Sequence, residues 1–195
     1  MENNNIPKAQ ENCGRKIIRK ENHNYALSAT YFLTINTAEK QHLFGEIVNE
    51  ELQASPQGKI VEDTLRRLTD SFPKVCNLTY IIMPNHIHLL FDYINDEADI
   101  AYSESEDDTR TMREIRRTET HPGTISSLVR TIKTIITREC HRLNLPMAWH
   151  RTFYDRIVRT HQERVNIQAY ILNNPKHWGL PKKTFPFSYI FYPHR

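Results

Sequence analysis

Long apolar runs are missing from this chain, and no stretch approaches the roughly 18 to 20 residues that a membrane-spanning helix needs. The opening MENNNIPKAQENCGRK is polar and lacks the apolar core of a secretory signal, so a cytoplasmic location is expected. Cysteine is scarce. Cys13, Cys76 and Cys140 are odd in number and lack metal-ligand spacing, which argues against a disulfide framework or a zinc finger and suits a reducing compartment. At 195 residues the chain can bury one substantial core, and a single domain is the expectation.

A large net charge is also absent, at +3, but its distribution is uneven. Residues 1–93 hold 10 Lys/Arg against 11 Asp/Glu, residues 94–120 hold 4 against 9, and residues 121–195 hold 12 against 3. The basic part is interleaved with Trp149, Phe153, Tyr154, Trp178, Phe185, Phe187 and Tyr189. Such a surface can follow a phosphate backbone and stack on unpaired bases. A solvated basic face over a small aromatic core reads equally well from charge alone.

The pattern along the chain is that of alternating strands and helices. Residues 1–14 are Asn-rich and aperiodic, a disordered lead. ATYFLTINT (29–37) has strand composition, and LFGEIVNEELQAS (43–55) suits either strand or short helix. Helical spacing of Ile60, Val61, Leu65, Leu68 and Phe72 predicts a helix from Gln57 to near Pro73. CNLTYIIM (76–83) and HIHLLFDY (86–93) read as strands joined at Pro84-Asn85. The acidic, aperiodic residues 94–120 read as a mobile insertion. Next, Ile125, Leu128, Val129, Ile132, Ile135, Ile136 and Leu143 form one helical stripe, with Thr124 as cap and Arg130, Lys133, Arg138 and Arg142 off the stripe. FYDRIVR (153–159) suits a strand and residues 161–174 a last helix, stopped by Pro175. This order predicts an α+β, ferredoxin-like fold: an antiparallel sheet with helices on one face and an extra C-terminal helix. The domain spans 15–180, and 181–195 form a basic aromatic tail.

Two features carry chemistry. In the run IIMPNHIHLLF (81–91), His86 and His88 lie two apart on a strand, so they share a face about 7 Å apart along it while Ile87 and Leu89 point the other way. Two imidazoles on one face can share a metal ion, although H-x-H also suits solvated or core histidines. On the last helix, at about 100° per residue, Tyr170 lies near the direction of Glu163, Asn166, Asn173 and Asn174 and roughly opposite Val165 and Leu172. The tyrosine is thus expected off the apolar stripe, with Asn174 one turn away. Gln168 makes that stripe imperfect.

At these motifs the chain resembles the REP-associated tyrosine transposases, a branch of the single-tyrosine transposases in the HUH endonuclease superfamily. RKIIRKENHNYALSATYFLTINT, QHLFGEI, YIIMPNHIHLLF, FYDRIVR and YILNNPKHWGL carry the resemblance, in order, across most of residues 15–180. It implies that His86 and His88 bind Mg²⁺ or Mn²⁺, that Asn174 stands where relatives carry a third, amide-bearing ligand, and that Tyr170 is the nucleophile. It further implies cutting and rejoining of single-stranded DNA beside hairpins through a 5′-phosphotyrosine, by a monomer or homodimer. Arg130, Lys133, Arg138 and Arg142 are then candidates for DNA backbone contacts. Trp178 and the tail could stack bases or pack on the sheet, packing being favoured. The alternatives are a non-catalytic single-stranded nucleic-acid-binding or domesticated transposase-derived protein, and a replication or conjugation initiator. Initiators usually lack the Y-I-x-x-N-P block seen here.

Overall fold

The computed structural model describes residues 27–96 and 123–180. The expected lead at 1–14, nearly all of the acidic insertion and the tail at 181–195 lie outside the described residues.

The sheet forms because its strands are rich in β-branched and aromatic residues whose alternation presents apolar side chains to both faces. β1 (Ala29–Asn36), β4 (Val75–Met83), β5 (His86–Tyr93) and β6 (Tyr154–Val158) make one antiparallel sheet in the order β4-β5-β1-β6. Between β1 and β4 lie a hairpin, β2 (Gly45–Val48) and β3 (Glu51–Ala54), and the helices α1 (Pro56–Arg66) and α2 (Leu68–Ser71). The ambiguous segment 43–55 is therefore strand. Its two-residue turn places Asn49 at φ 51° and Glu50 at φ 66°, the twist that closes an antiparallel hairpin tightly. The helix expected from 57 to near 73 is interrupted at Arg67 (ψ 5°). α3 (Ile125–Arg142) and α4 (His161–Asn173) complete the chain, capped by Thr124 and Thr160, whose hydroxyls accept from Ser127 N and Glu163 N.

Alternation along β1 and β5 divides the molecule into two layers. Tyr31, Leu33, Ile35, Ile87, Leu89 and Phe91 face α1 and α3 and form the main core with Val61, Leu65, Ile125, Val129, Ile132 and Ile136. Phe32 and Leu90 face the other way and meet Ile167, Tyr170 and Ile171 of α4. The predicted α+β fold with an antiparallel sheet and an extra C-terminal helix is observed, and the structure adds that α4 lies across the sheet from α1 and α3. Among the described residues no helix is long and apolar enough to cross a membrane.

Candidate active site

The histidine pair and the tyrosine meet on the α4 face of the sheet. Cross-strand pairing of Thr34 with His88 and Asn36 with His86 puts these four side chains on the face opposite Ile87 and Leu89. His86 Nε2 and His88 Nε2 are 3.1 Å apart, and the Tyr170 hydroxyl lies 3.1 Å from His88 Nε2. The rings are packed as well as bonded: His88 stacks on Phe32, and Tyr170 meets both edge-on. His88, Tyr170 and Asn174 are buried, while His86 is half-buried beneath Trp178, which also touches His42.

Hydrogen bonding assigns the tautomer of His86. Asn85 Nδ2 donates to the Lys40 carbonyl (3.2 Å), which turns Asn85 Oδ1 toward His86 Nδ1 at 2.7 Å. His86 Nδ1 therefore carries the proton. His88 Nδ1 lies 2.9 Å from Thr34 Oγ1, a hydroxyl that can donate or accept, and the His88 ring also bonds the Leu33 carbonyl. With the proton of each ring on Nδ1, the two Nε2 lone pairs point at one small region and repel unless a proton or cation lies between them. Burial, and then the Lys40 charge, lower His86 to about 4. Burial and then the His86 charge hold His88 well below the usual imidazole range, the Leu33 carbonyl opposing them. A shared proton is thus disfavoured at neutral pH.

The two Nε2 atoms are spaced so that one divalent cation could be shared between them. Ligand atoms 3.1 Å apart match the edge of an octahedron with bonds of about 2.1 Å. Among the described residues no cluster of three His, Cys, Asp or Glu is present. Asn174 is 3% exposed, and its Nδ2 has no hydrogen-bond partner among the described residues. The amide adjoins the phenol: burial pushes the Tyr170 hydroxyl well above the usual tyrosine range, and Asn174 pulls against that shift. A buried side-chain amide beside the phenol can present either its oxygen to a cation or its nitrogen to a developing phenolate.

One expectation is corrected. Tyr170 was expected on the side of the helix away from its apolar stripe, yet it is 5% exposed and faces inward with Ile167 and Ile171, while Val165 (41%) and Leu172 (67%) face solvent. The inward face of α4 is set by the polar patch of the sheet and by the ion pairs Arg164–Asp92 and Arg156–Glu163, both at 2.6 Å. Hydrophobic spacing alone could not orient such a helix. Asn85 and Thr34 were not singled out in the sequence as site residues. Asn85 sits in the β4–β5 turn beside the histidines, the one local cue available, whereas Thr34 is 54 residues from its partner His88.

The basic residues of α3 lie on the other layer, away from this site. Arg130, Lys133 and Arg138 line a surface groove of about 600 Å³ together with His141, Arg151 and Phe153. Arg142 is not among the lining residues and pairs instead with Glu139 (2.9 Å).

No protein-family model matches the chain. An uncharacterised protein of Haemophilus influenzae is 29% identical over 169 residues, covering 84% of this chain and 89% of the relative. Among solved structures, a REP-associated tyrosine transposase bound to a REP hairpin is 17% identical, with a TM-score of 0.51 over 86% of this chain and 80% of that one. A Deinococcus radiodurans protein provisionally described as a transposase is 18% identical, with a TM-score of 0.40 over 80% of this chain and 97% of that one. The first of these two structures shows that the fold is shared.

Proposed function

We propose that this chain cuts and rejoins single-stranded DNA, with Tyr170 as the nucleophile. The observation that carries the reading is the meeting, at 3.1 Å each, of a buried tyrosine hydroxyl with one member of an imidazole pair and of that pair's two Nε2 atoms. The likeness to the REP-associated transposase supports it at the level of fold.

In the proposed reaction the Tyr170 oxygen forms a bond to phosphorus as the bond to the 3′ oxygen breaks. The phenol gives up its proton, and the 3′ oxygen leaves with one as a free hydroxyl. The product is a 5′-phosphotyrosine, and attack by another 3′-hydroxyl reverses the step and joins strands. Mg²⁺ or Mn²⁺, held by His86, His88 and the Asn174 amide, would neutralise charge on the scissile phosphate. Asn85 Oδ1 holds His86 in the tautomer with its proton on Nδ1, and Thr34 positions the His88 ring. Phe32 and Trp178 wall the site with rings, excluding water from one side. Because burial raises the Tyr170 hydroxyl, the phenol is a poor nucleophile until substrate and cation are in place.

Incubation with hairpin-bearing single-stranded DNA and Mn²⁺ tests this directly. A covalent protein–DNA adduct is expected on a denaturing gel, lost in Tyr170→Phe and retained in Tyr154→Phe. An adduct that survives in Tyr170→Phe rules out this nucleophile. Hairpin binding without any adduct in the unaltered protein would favour the non-catalytic alternative.

A further inference from the structure

Two hollows share no lining residue but adjoin at His150, which lines the second and is bonded by Lys133 and followed by Arg151 of the first. The first is the α3 groove of about 600 Å³, whose described lining includes Arg130, Lys133, Arg138 and Arg151 and no Asp or Glu. The second, of about 440 Å³, is lined by Asn36, Thr37, Glu39, Lys40 and His150. His150 joins them. Its carbonyl accepts from Lys133 Nζ (2.8 Å), its backbone N–H donates to the Asn36 carbonyl (2.9 Å), and its side chain lines the second hollow. Asn36 in turn is the cross-strand partner of His86, and Lys40 is tied to His86 through Asn85. With neighbouring strands about 4.8 Å apart, His150 lies roughly 10 Å from the histidine pair.

We propose that the two hollows form one track that leads the phosphodiester backbone of the single-stranded segment of the substrate around the sheet to His86; this rests on the DNA reading above. Arg130 and Arg151 are exposed and Lys133 is held by a neutral carbonyl. The two arginines remain available to phosphates, while Lys133 chiefly ties the groove to His150. Arg138 is partly offset by Glu139 at 3.4 Å, and Glu39 is the acidic residue of the second hollow. Among the described lining residues, cations outnumber the one half-buried phenyl ring, Phe153, a composition suited to holding the backbone.

The test is binding of the full chain, in chelator, to a labelled hairpin with a single-stranded flank, to the flank alone and to the hairpin alone, across a range of salt. Arg130→Gln/Arg138→Gln/Arg151→Gln is compared with a control of equal charge loss on α1, Lys59→Gln/Arg66→Gln/Arg67→Gln. The track variant is expected to weaken binding of both flank-bearing molecules at least tenfold and to reduce the salt slope by about 2 to 3. Lys40→Gln should weaken the same two molecules. Equal losses in the α1 control, or a loss confined to the hairpin alone, would overturn the track. If no Tyr170 adduct forms yet the track variant still loses flank binding, the cutting reading fails and the track stands. If the adduct forms and the track variant binds the flank like the unaltered protein, the track alone fails.

Discussion

The two faces of the sheet are built from the same strands and do opposite work. On one, Leu33, Ile35, Ile87 and Leu89 are fully buried against α1 and α3 with no polar group among them. On the other, the same strands present Thr34, His86 and His88 beside Phe32 and Leu90, covered by α4, which buries only Ile167, Tyr170 and Ile171. Polar groups out of water have to be satisfied, and Tyr170 bonds to His88 Nε2 while Thr34 meets His88 Nδ1 and Asn85 meets His86 Nδ1. Apolar packing on the first face supplies the stability that lets the second hold desolvated, incompletely satisfied chemistry. Ion pairs such as Arg164–Asp92 fasten α4 where apolar contacts are few.

The sharpest way to break this contrast is to compare neighbours on β5. Ile87→Ala should lower unfolding free energy by about 2–5 kcal/mol through the cavity it leaves, measured by urea titration. His88→Ala should destabilise far less in chelator yet reduce adduct formation more than a hundredfold, since loss even of an outer partner of a metal ligand weakens a site about 10- to 100-fold. Equal destabilisation by the two would mean that His88 is a core residue after all. A finer probe is Thr34→Val, nearly isosteric, which removes a hydrogen-bond partner of the His88 ring. Mn²⁺ affinity should fall about tenfold with little change in melting temperature, whereas unchanged affinity would show that the Leu33 carbonyl suffices. The smallest effect concerns the fastening of α4. Burial raises the Asp92 carboxyl, but hydrogen bonds from Arg164, Thr30 and Asn77 and the Arg164 charge outweigh it, so the net shift is downward. A depressed carboxylate stabilises the fold above its unfolded value, near 4, and that contribution is lost as pH falls through the folded value. Arg164→Ala should therefore lower stability by about 1–2 kcal/mol at pH 7, and the difference from the unaltered protein should shrink below pH 4. A difference independent of pH would assign the loss to packing of the arginine stem.

Most of the architecture was legible because it is written in local periodicity. The alternation in ATYFLTINT and HIHLLFDY, the 3.6-residue stripe from Ile125 to Ile136 and the Thr124 cap are properties of a few consecutive residues. The stripe ends sooner than its spacing suggested: Leu143 is 48% exposed, and Cys140 fills the last buried position. The segment 43–55 was ambiguous because four-residue strands are too short to show a period.

What the sequence determined by itself is that His86 and His88 share a strand face, since successive side chains on any strand alternate whatever surrounds them. It also determined that Tyr170 and Asn174 lie one turn apart. Tertiary structure alone decided that these pairs meet, because 82 residues separate His88 from Tyr170 and only the antiparallel pairing of β1 with β5 and the docking of α4 close that distance. It decided too which side of α4 faces inward. A helix with no dominant apolar face takes its rotation from the polar groups and ions it must satisfy, and those are contributed by distant segments of the chain.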